Sequence, residues 1–204
     1  PAVIRLAHAT NILDRPGLRK AHRGSVPRLG GVAVLLGTIV ALVGLAAAGS
    51  SITWSMRDNW PQWIALALGA MTVFVAGVID DIRNVRAVHK LLVQVAAASA
   101  AYAFGIRIEA ISLDSQTTVH LGLLGWPITI LWIAGITNAV NLIDGLDGLA
   151  AGIAAIAALV IACLAFTGNQ PALALVMVAL AGSLGGFLLF NFHPARIFLG
   201  DCGA

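Results

Sequence analysis

The stretch GWPITILWIAGITNAVNLIDGLDGLAAGIAAIAALVIACLAF, residues 125–166, decides the fold. It consists of two apolar runs, 125–143 and 149–166, separated by a short polar segment with two aspartates and two glycines. Each run has the length of about 17 to 25 residues that an α-helix needs to cross the hydrocarbon core of a bilayer. The stretch therefore predicts two membrane-spanning helices joined by a tight polar turn at one membrane face.

The remainder of the chain has the same membrane character. Hydrophobic residues make up 59% of its 204 residues and charged residues 10%, whereas charged residues make up about a quarter of a soluble domain. Three more apolar runs of spanning length lie at 31–49, 63–79 and 171–190. The run 91–104 is short, and its length alone fits a sixth span about as well as a buried or re-entrant helix. The sequence predicts an all-α polytopic membrane protein.

The distribution of positive charge favours six spans. If 91–104 crosses the membrane, the segments 1–30, 80–90, 144–148 and 191–204 lie on one side. That side then holds ten of the twelve lysines and arginines: Arg5, Arg15, Arg19, Lys20, Arg23, Arg28, Arg83, Arg86, Lys90 and Arg196. Cytoplasmic loops of membrane proteins carry such an excess of positive charge. We therefore expect a multi-pass protein of the cell (inner) membrane whose basic segment 1–30 is cytoplasmic.

Outside the spans, the sequence predicts one small element of β-structure. Residues 106–121 alternate with a period near two around a polar turn, which is typical of a small external β-hairpin. Cys163 and Cys202 form neither a disulfide framework nor a zinc pattern, and the net charge of +3 is too small to predict nucleic acid as a partner. Because the chain begins without methionine and ends within a polar motif, we expect one integral-membrane catalytic domain, 1–204, truncated at both ends.

The acidic residues cluster on the same side as the positive charges. Six of the nine acids lie there: Asp14, Asp80, Asp81, Asp144, Asp147 and Asp201. Acids have little influence on membrane orientation, so a shared site explains the bias better than topology does.

The pair Asp80–Asp81 follows the apolar run 63–79. A helix end that meets water would explain two polar residues here, but acids are disfavoured at the negative end of a helix dipole and repel each other. A cation must therefore lie near the pair. The candidates are Lys90, at the start of the next span, and a divalent metal ion.

The segment 138–148 combines amides, acids and glycines at the end of a span. Its polar residues recur every three positions: Asn138, Asn141, Asp144 and Asp147. Gly145 and Gly148 indicate that the backbone opens near Asp144. An oxygen-rich segment of this kind suits Mg²⁺, which uses one or two carboxylates and completes its shell with water and phosphate. A polar helix end that reaches toward water is the alternative.

The last segment, 191–203, presents one more acid, Asp201, between two glycines. Alone it would be an ordinary turn, but topology returns it to the face that holds the other acids. His193 precedes a proline at a helix end and is expected to be structural.

In this order, the polar segments resemble those of the polyprenyl-phosphate N-acetylhexosamine-1-phosphate transferases, glycosyltransferase family 4. The matching pieces are Asp14-Arg15-Pro16 with Arg19-Lys20-x-His22, Pro27-Arg28-Leu29-Gly30-Gly31, Asp80-Asp81 with Lys90 and Gln94, Asn138-x-x-Asn141-x-x-Asp144-Gly145-x-Asp147-Gly148-Leu149-Ala150, and Asn191 through Gly203. The Pro-Arg-x-Gly-Gly piece looks like the branch that transfers N-acetylglucosamine phosphate. The chain departs from the family at Cys202, where a serine or threonine is usual, and at Ala204, where a serine is usual.

The resemblance implies a reaction at the cytoplasmic membrane face. N-acetylglucosamine 1-phosphate would pass from UDP-N-acetylglucosamine to undecaprenyl (polyprenyl) phosphate, with release of UMP, to start the synthesis of a cell-envelope glycan. The cofactor would be Mg²⁺, with Mn²⁺ as a substitute, and a homodimer is a further expectation. Phospho-N-acetylmuramoyl-pentapeptide transferase is the alternative within the family.

The resemblance also implies the roles of individual residues. It assigns the metal to Asn141 and Asp201. It gives catalytic roles to Asp80, Asp81, Asp144 and Lys90, with Lys90 on the pyrophosphate. It implies substrate contacts for Asn138, His22, Arg28, Asp147 and Phe198, the last two around the uracil.

The roles of Asp80 and Asp81 stay open between deprotonation of the lipid phosphate and covalent attack. A phosphate monoester is largely dianionic at neutral pH, so little base catalysis is needed. We favour direct in-line displacement, in which the two acids orient other groups.

Two more distant alternatives fit less well. Asp144-x-x-Asp147-Gly148-x-x-Ala151 is similar to the start of the CDP-alcohol phosphotransferase signature, but Gly152 stands where that pattern needs arginine. A cation-coupled transporter would carry its acids near the bilayer midplane, whereas these acids sit at one face.

Overall fold

The computed structural model describes residues 1–10, 12–14, 25–47, 59–114 and 117–203. In these ranges the α-helices are α1 Ala2–Ala9, α2 Gly30–Ala47, α3 Trp60–Arg83, α4 Ala87–Ala103, α5 Gly125–Ile143, α6 Leu149–Thr167 and α7 Pro171–Asn191. Two antiparallel pairs of short strands accompany them: β1 Leu13–Asp14 with β2 Val26–Pro27, and β3 Ala110–Ser112 with β4 Thr118–His120. A short 3-10 helix, Gly122–Leu124, leads into α5.

Five of the described helices are long and apolar enough to cross a membrane: α2, α3, α5 together with its 3-10 turn, α6 and α7. The expectation of an all-α polytopic membrane protein is confirmed, and so is the small hairpin, formed by β3 and β4. The β1–β2 pair was not expected, because strands of two residues are too short to show an alternating pattern.

The short sixth span corresponds to α4, which has 17 residues and packs between α3 and α5. It begins at Ala87, earlier than the predicted start at 91, because hydropathy marks only the apolar part of a helix. The backbone turns into the helix after Arg86, which has extended dihedral angles. Lys90 therefore lies inside the first turns of α4.

Neighbouring helices pack in the order α3, α4, α5, α6, α7, α2. The packing of α6 against α7 relies on small side chains, among them the buried Ala150 and Ala151, which let membrane helices approach closely. Leu184 and Phe187 of α7 join Leu199, from the loop after α7, in the same buried cluster. This loop is therefore anchored in the core.

The helical backbone is interrupted between α5 and α6, as the glycines there indicate, whereas α3 runs through its two acids. α5 ends at Ile143, and α6 begins only after Gly148, whose φ of +75° lies in the left-handed region that glycine tolerates. α3 continues to Arg83, so Asp80 and Asp81 lie in its last turns.

The loop after α7 brings the polar segments to one end of the bundle. Its backbone accepts hydrogen bonds from the first amides of α2: the Gly30 N–H donates to the Phe198 carbonyl at 3.0 Å and the Gly31 N–H to the Leu199 carbonyl at 2.8 Å. Asp81, at the end of α3, and Asp144, at the end of α5, also contact this loop. Since α3 and α5 both end there, α4 runs back across the bundle between them, as a spanning segment does.

Candidate active site

Lys90 lies between two carboxylates. Its Nζ atom is 2.8 Å from Oδ2 of Asp80 and 3.0 Å from Oδ2 of Asp201. Asp201 is more than 100 positions away in the sequence, so the ion pair joins α4 to the loop after α7. Lys90 is thus a cation beside Asp80, one of the two candidates that the paired acids required.

The backbone fixes the other side of Asp80. Asn84 ends α3 in a left-handed conformation, with φ of 49°. The chain then turns back, and the Val85 N–H donates to Oδ1 of Asp80. Asp80 is only 7% exposed, and its oxygens are shared between this N–H and Lys90. Asp80 therefore holds the Lys90 ammonium in place.

Asp81 points elsewhere and binds backbone. Its Oδ1 accepts the N–H of Asp201 at 2.9 Å, and its Oδ2 accepts the N–H of Cys202 at 3.1 Å. Successive residues of a helix are about 100° apart around its axis, which is why two adjacent acids can serve different partners. Asp81 holds the turn that presents Asp201.

Asp144 holds the same turn from the other side. Its Oδ2 accepts the N–H of Gly200 at 3.2 Å, so three successive amides of the turn, at 200, 201 and 202, donate to two carboxylates. Burial raises the pKa of Asp144 to about 7. The hydrogen bond from Gly200 opposes this rise, and the charges of Asp201 and Asp81 add to it.

The turn fits against α3 because α3 has a glycine there. A Cβ atom at Gly77 would lie 2.6 Å from the Cα of Cys202, which is too close for any side chain. Burial raises the pKa of Asp201, the neighbouring carboxylate of Asp80 raises it further, and Lys90 opposes both. Burial also raises the pKa of the Cys202 thiol, and the nearby charge comes chiefly from Asp81 rather than from the adjacent Asp201.

A cleft opens between α3, α4, α5 and the turn. Its polar lining comprises Lys90, Gln94, Thr137, Asn141 and Asp201, and its apolar lining comprises Val73, Ala76, Gly77 and Val93. The cleft therefore presents an ammonium group, a carboxylate, two amides and a hydroxyl at the end of an otherwise apolar bundle. Groups of this kind suit phosphate and a divalent cation.

Asn141 and Asp201, which the resemblance assigns to the metal, both line this cleft and offer an amide oxygen and a carboxylate. In the described ranges no group of three or more His, Cys, Asp or Glu side chains has a metal-binding arrangement. A metal here would therefore have few protein ligands. That donor set fits Mg²⁺, which keeps water and substrate phosphate in its shell.

Asn138 does not line the cleft but orients a residue that does. Its Nδ2 donates to the Ala134 carbonyl at 2.7 Å and to Oε1 of Gln94 at 2.6 Å. Sequence reasoning placed Gln94 in the matching motif without giving it a role. The available signal was its spacing, since Gln94 lies four residues after Lys90 and therefore on the same helix face.

The expected substrate contacts Asp147, Arg28 and Phe198 are not among the residues that line this cleft. Asp147 uses Oδ2 to accept the N–H of Ala195 at 3.0 Å and to contact Nδ1 of His193 at 3.0 Å. The Arg28 side chain forms an ion pair of 3.2 Å with Asp14, and Phe198 is half-buried.

His22, the remaining expected substrate contact, lies outside the described residues. The roles that the resemblance gives to these four residues stay predictions.

Asn191 links the two loops, a role that its place at the start of the last matching piece did not reveal. It is 2% exposed; its Oδ1 accepts the Gly148 N–H at 3.1 Å, and its Nδ2 donates to the Ile197 carbonyl at 2.9 Å. The signal was a lone amide at the end of the apolar α7, since polar residues inside membrane helices usually have a partner or a function.

A family model described as "Glycosyl transferase family 4" matches residues 63–204. The chain therefore belongs to glycosyl transferase family 4. The match includes Asp80, Lys90, Asn141 and Asp201, the polar groups gathered around the cleft. The resemblance stated from the motifs is confirmed, and with it membership in a family of transferases.

Curated relatives of this glycosyl transferase family 4 chain fall into two named activities. It is 39% identical over 206 residues to a "Probable undecaprenyl-phosphate N-acetylglucosaminyl 1-phosphate transferase" of Bacillus subtilis (strain 168), covering 100% of the chain and 54% of the relative. It is 37% identical over 215 residues to a "Phospho-N-acetylmuramoyl-pentapeptide-transferase" of Synechococcus sp. (strain JA-3-3Ab), covering 99% of the chain and 59% of the relative.

A relative with the second activity comes from Desulforudis audaxviator (strain MP104C); it is 34% identical over 224 residues, covering 100% of the chain and 66% of the relative. The chain thus spans between about half and two thirds of the length of these three relatives.

Proposed function

We propose that the full-length protein transfers N-acetylglucosamine 1-phosphate from UDP-N-acetylglucosamine to a polyprenyl phosphate and releases UMP. The observation that carries this proposal is the cleft that Lys90, Asn141 and Asp201 line together. An ammonium beside two oxygen ligands suits a substrate with several phosphates. The similarity to the relative of Bacillus subtilis supports the choice of sugar.

In the proposed reaction, an oxygen of the lipid phosphate attacks the phosphorus that carries the sugar. The bond from this phosphorus to the bridging oxygen breaks, and UMP leaves with that oxygen. The lipid phosphate is mostly dianionic near neutral pH, so the attack needs no general base of its own. This supports a single in-line displacement over a covalent enzyme intermediate.

Within this scheme, Lys90 holds the phosphates by charge, and the carboxylate of Asp80 keeps the ammonium in place. Asn141 and Asp201 would hold Mg²⁺, which when bound neutralises charge on the phosphoryl oxygens. Asp81 and Asp144 keep the turn that carries Asp201 in register. The positive-inside pattern of the sequence supports a cytoplasmic location of this end of the bundle.

A second candidate activity has a specific observation in its favour. Relatives at 37% and 34% identity are named phospho-N-acetylmuramoyl-pentapeptide-transferases. The Pro-Arg-x-Gly-Gly piece that ends at Gly31 supports the N-acetylglucosamine branch instead.

The two activities separate in one assay. The full-length protein is incubated with undecaprenyl phosphate, MgCl₂ and either UDP-N-acetylglucosamine or the UDP-muramyl-pentapeptide, and UMP release is measured. We expect UMP with the first donor only, and none after chelation of the metal until Mg²⁺ or Mn²⁺ is restored. Asp201→Asn provides the matched control, because it should insert in the membrane but need far more metal for turnover.

A further inference from the structure

Gln94 is almost completely buried, yet its amide nitrogen forms no hydrogen bond within the described part of the chain. Its exposed fraction is 5%, and it lines the cleft beside Lys90. Its Oε1 accepts a hydrogen bond from Asn138 at 2.6 Å. No described residue accepts a hydrogen bond from its amide nitrogen.

The orientation of this amide follows from the hydrogen-bond network. A backbone carbonyl can only accept, so the atom of Asn138 that lies 2.7 Å from the Ala134 carbonyl must be its nitrogen. The same nitrogen donates to Gln94, so the Gln94 atom that faces it must be the oxygen. The amide nitrogen of Gln94 therefore points away from Asn138.

The free nitrogen keeps some accessible surface on a residue that lines the cleft. Among the described residues, every side-chain nitrogen or oxygen atom that is fully buried has a partner. Because the Gln94 nitrogen has none among them, it must retain some accessible surface, and the cleft is the space that Gln94 lines. A donor held in this way, on a side chain that is otherwise buried, is set up to bind an oxygen acceptor that enters the cleft.

The depth of Gln94 in the cleft bears on which phosphate could reach it. α4 starts at the end of the bundle where the polar segments meet, and Gln94 lies four residues beyond Lys90, or about 6 Å farther along the helix. Thr137, four residues before Asn141 on the returning α5, lies at the same depth, and its hydroxyl donates to the Ile133 carbonyl at 2.9 Å. The cleft thus has an outer layer of charged and metal-binding groups and an inner layer in which Gln94 offers a donor.

From this placement we infer that the amide nitrogen of Gln94 binds a phosphate oxygen of the lipid acceptor. A nucleotide sugar reaches the cleft from water and meets the outer layer first. The phosphate of a membrane lipid stays attached to a chain in the hydrocarbon, so it meets the cleft from the inner layer. The apolar side chain of Val73 also lines this cleft. The inference rests on the proposed function, and it assigns one substrate of that reaction to a specific residue.

Gln94→Glu is the decisive variant in the full-length protein. It keeps the shape of the side chain and an oxygen for Asn138, but replaces the donor with an oxygen that repels phosphate. Loss of a hydrogen bond to a charged group lowers binding affinity by about tenfold or more. The KM for undecaprenyl phosphate should therefore rise by at least about tenfold. The KM for UDP-N-acetylglucosamine should stay within about twofold of that of the wild type.

Two companion variants separate binding from folding. Ser99→Ala, on α4 but outside the cleft lining, should change neither KM. Asn138→Ala leaves Gln94 in place but releases its oxygen, so it should raise the KM for the lipid selectively and by less than Gln94→Glu. An unchanged KM for the lipid in Gln94→Glu, or a rise confined to the KM for the nucleotide sugar, overturns the inference.

A binding measurement tests the same contact without turnover. Native mass spectrometry of the wild type with undecaprenyl phosphate should show binding that Gln94→Glu weakens, whereas undecaprenol, which has the same chain but no phosphate, should not distinguish the two proteins. Equal occupancy of both proteins by undecaprenyl phosphate would contradict the inference. Failure of the proposed function would appear separately, as a wild type that binds the lipid but releases no UMP.

Discussion

Replacing Asp81 with asparagine should disable the site by releasing the turn that carries Asp201. The carboxylate accepts two backbone N–H groups, from Asp201 at 2.9 Å and from Cys202 at 3.1 Å. Asparagine keeps one oxygen and so one of the two bonds, but its NH₂ group must face the other N–H. Two donors then meet in a largely buried place, and neither has an acceptor.

The size of the effect follows from these bonds. A hydrogen bond to a charged group contributes about 1.5–3 kcal/mol, and a buried donor left without a partner costs about 1–3 kcal/mol. Allowing for the bond that asparagine retains, the turn should lose about 2–4 kcal/mol, or about 30- to 1000-fold in the equilibrium constant for holding Asp201 in place. The affinity for Mn²⁺ should fall by about 10- to 100-fold, as is usual when a residue that orients a metal ligand is changed.

The assay is the binding of Mn²⁺ to the full-length protein, followed by electron paramagnetic resonance, together with the pH dependence of kcat. Asp80→Asn is the matched control, because it removes a carboxylate from Lys90 and leaves the turn bonded to Asp81. If Asp81→Asn binds Mn²⁺ like the wild type while one limb of its pH–rate profile disappears, Asp81 is a proton acceptor and the positional role is wrong.

Three further predictions concern charge, sulfur and topology. Lys90→Gln should lower kcat by about 10²- to 10³-fold, the usual loss when a key electrostatic donor is removed; turnover near that of the wild type in the release assay would show that the phosphates bind elsewhere. Cys202→Ser should stay active and become insensitive to any thiol reagent that inhibits through this residue, because burial raises the pKa of the thiol and so opposes the thiolate form; an inactive serine variant would contradict this expectation. In a background without Cys163 and Cys202, a cysteine at Asn169 should react with an impermeant thiol reagent in intact cells and one at Asn84 should not; labelling of the second would exclude the six-span arrangement.

The sequence predicted the fold well because bilayer thickness limits the length of a spanning helix. The run 125–143 matches α5 residue for residue, and the glycines correctly indicated the break before α6. The start of α4 was less accurate, since a helix can begin with charged residues at the membrane surface and hydropathy does not register them. The clustering of the acids at one end could also be predicted, because successive spans place alternate polar segments on the same side of the membrane.

Which groups each polar side chain binds could not be derived in this way. Asp80 and Asp81 are neighbours in the sequence, yet one contacts Lys90 and the other contacts backbone. This difference depends on the rotation of α3 about its axis, which packing against the turn determines. Asn138 and Gln94 are 44 positions apart, and their pairing becomes visible only when α4 and α5 are placed side by side.

The turn after α7 also determines when the site can form during synthesis. Its bonds reach back over 120 residues to Asp81 and over 56 residues to Asp144. The helices can enter the membrane one after another while the ribosome is still at work, but contacts of such long range must wait for the last segment. A nascent chain that stops after α7 would hold every helix described and still lack Asp201, so biosynthetic intermediates should be inserted but inactive. The site would then become complete only after the segment beyond α7 has emerged and folded back.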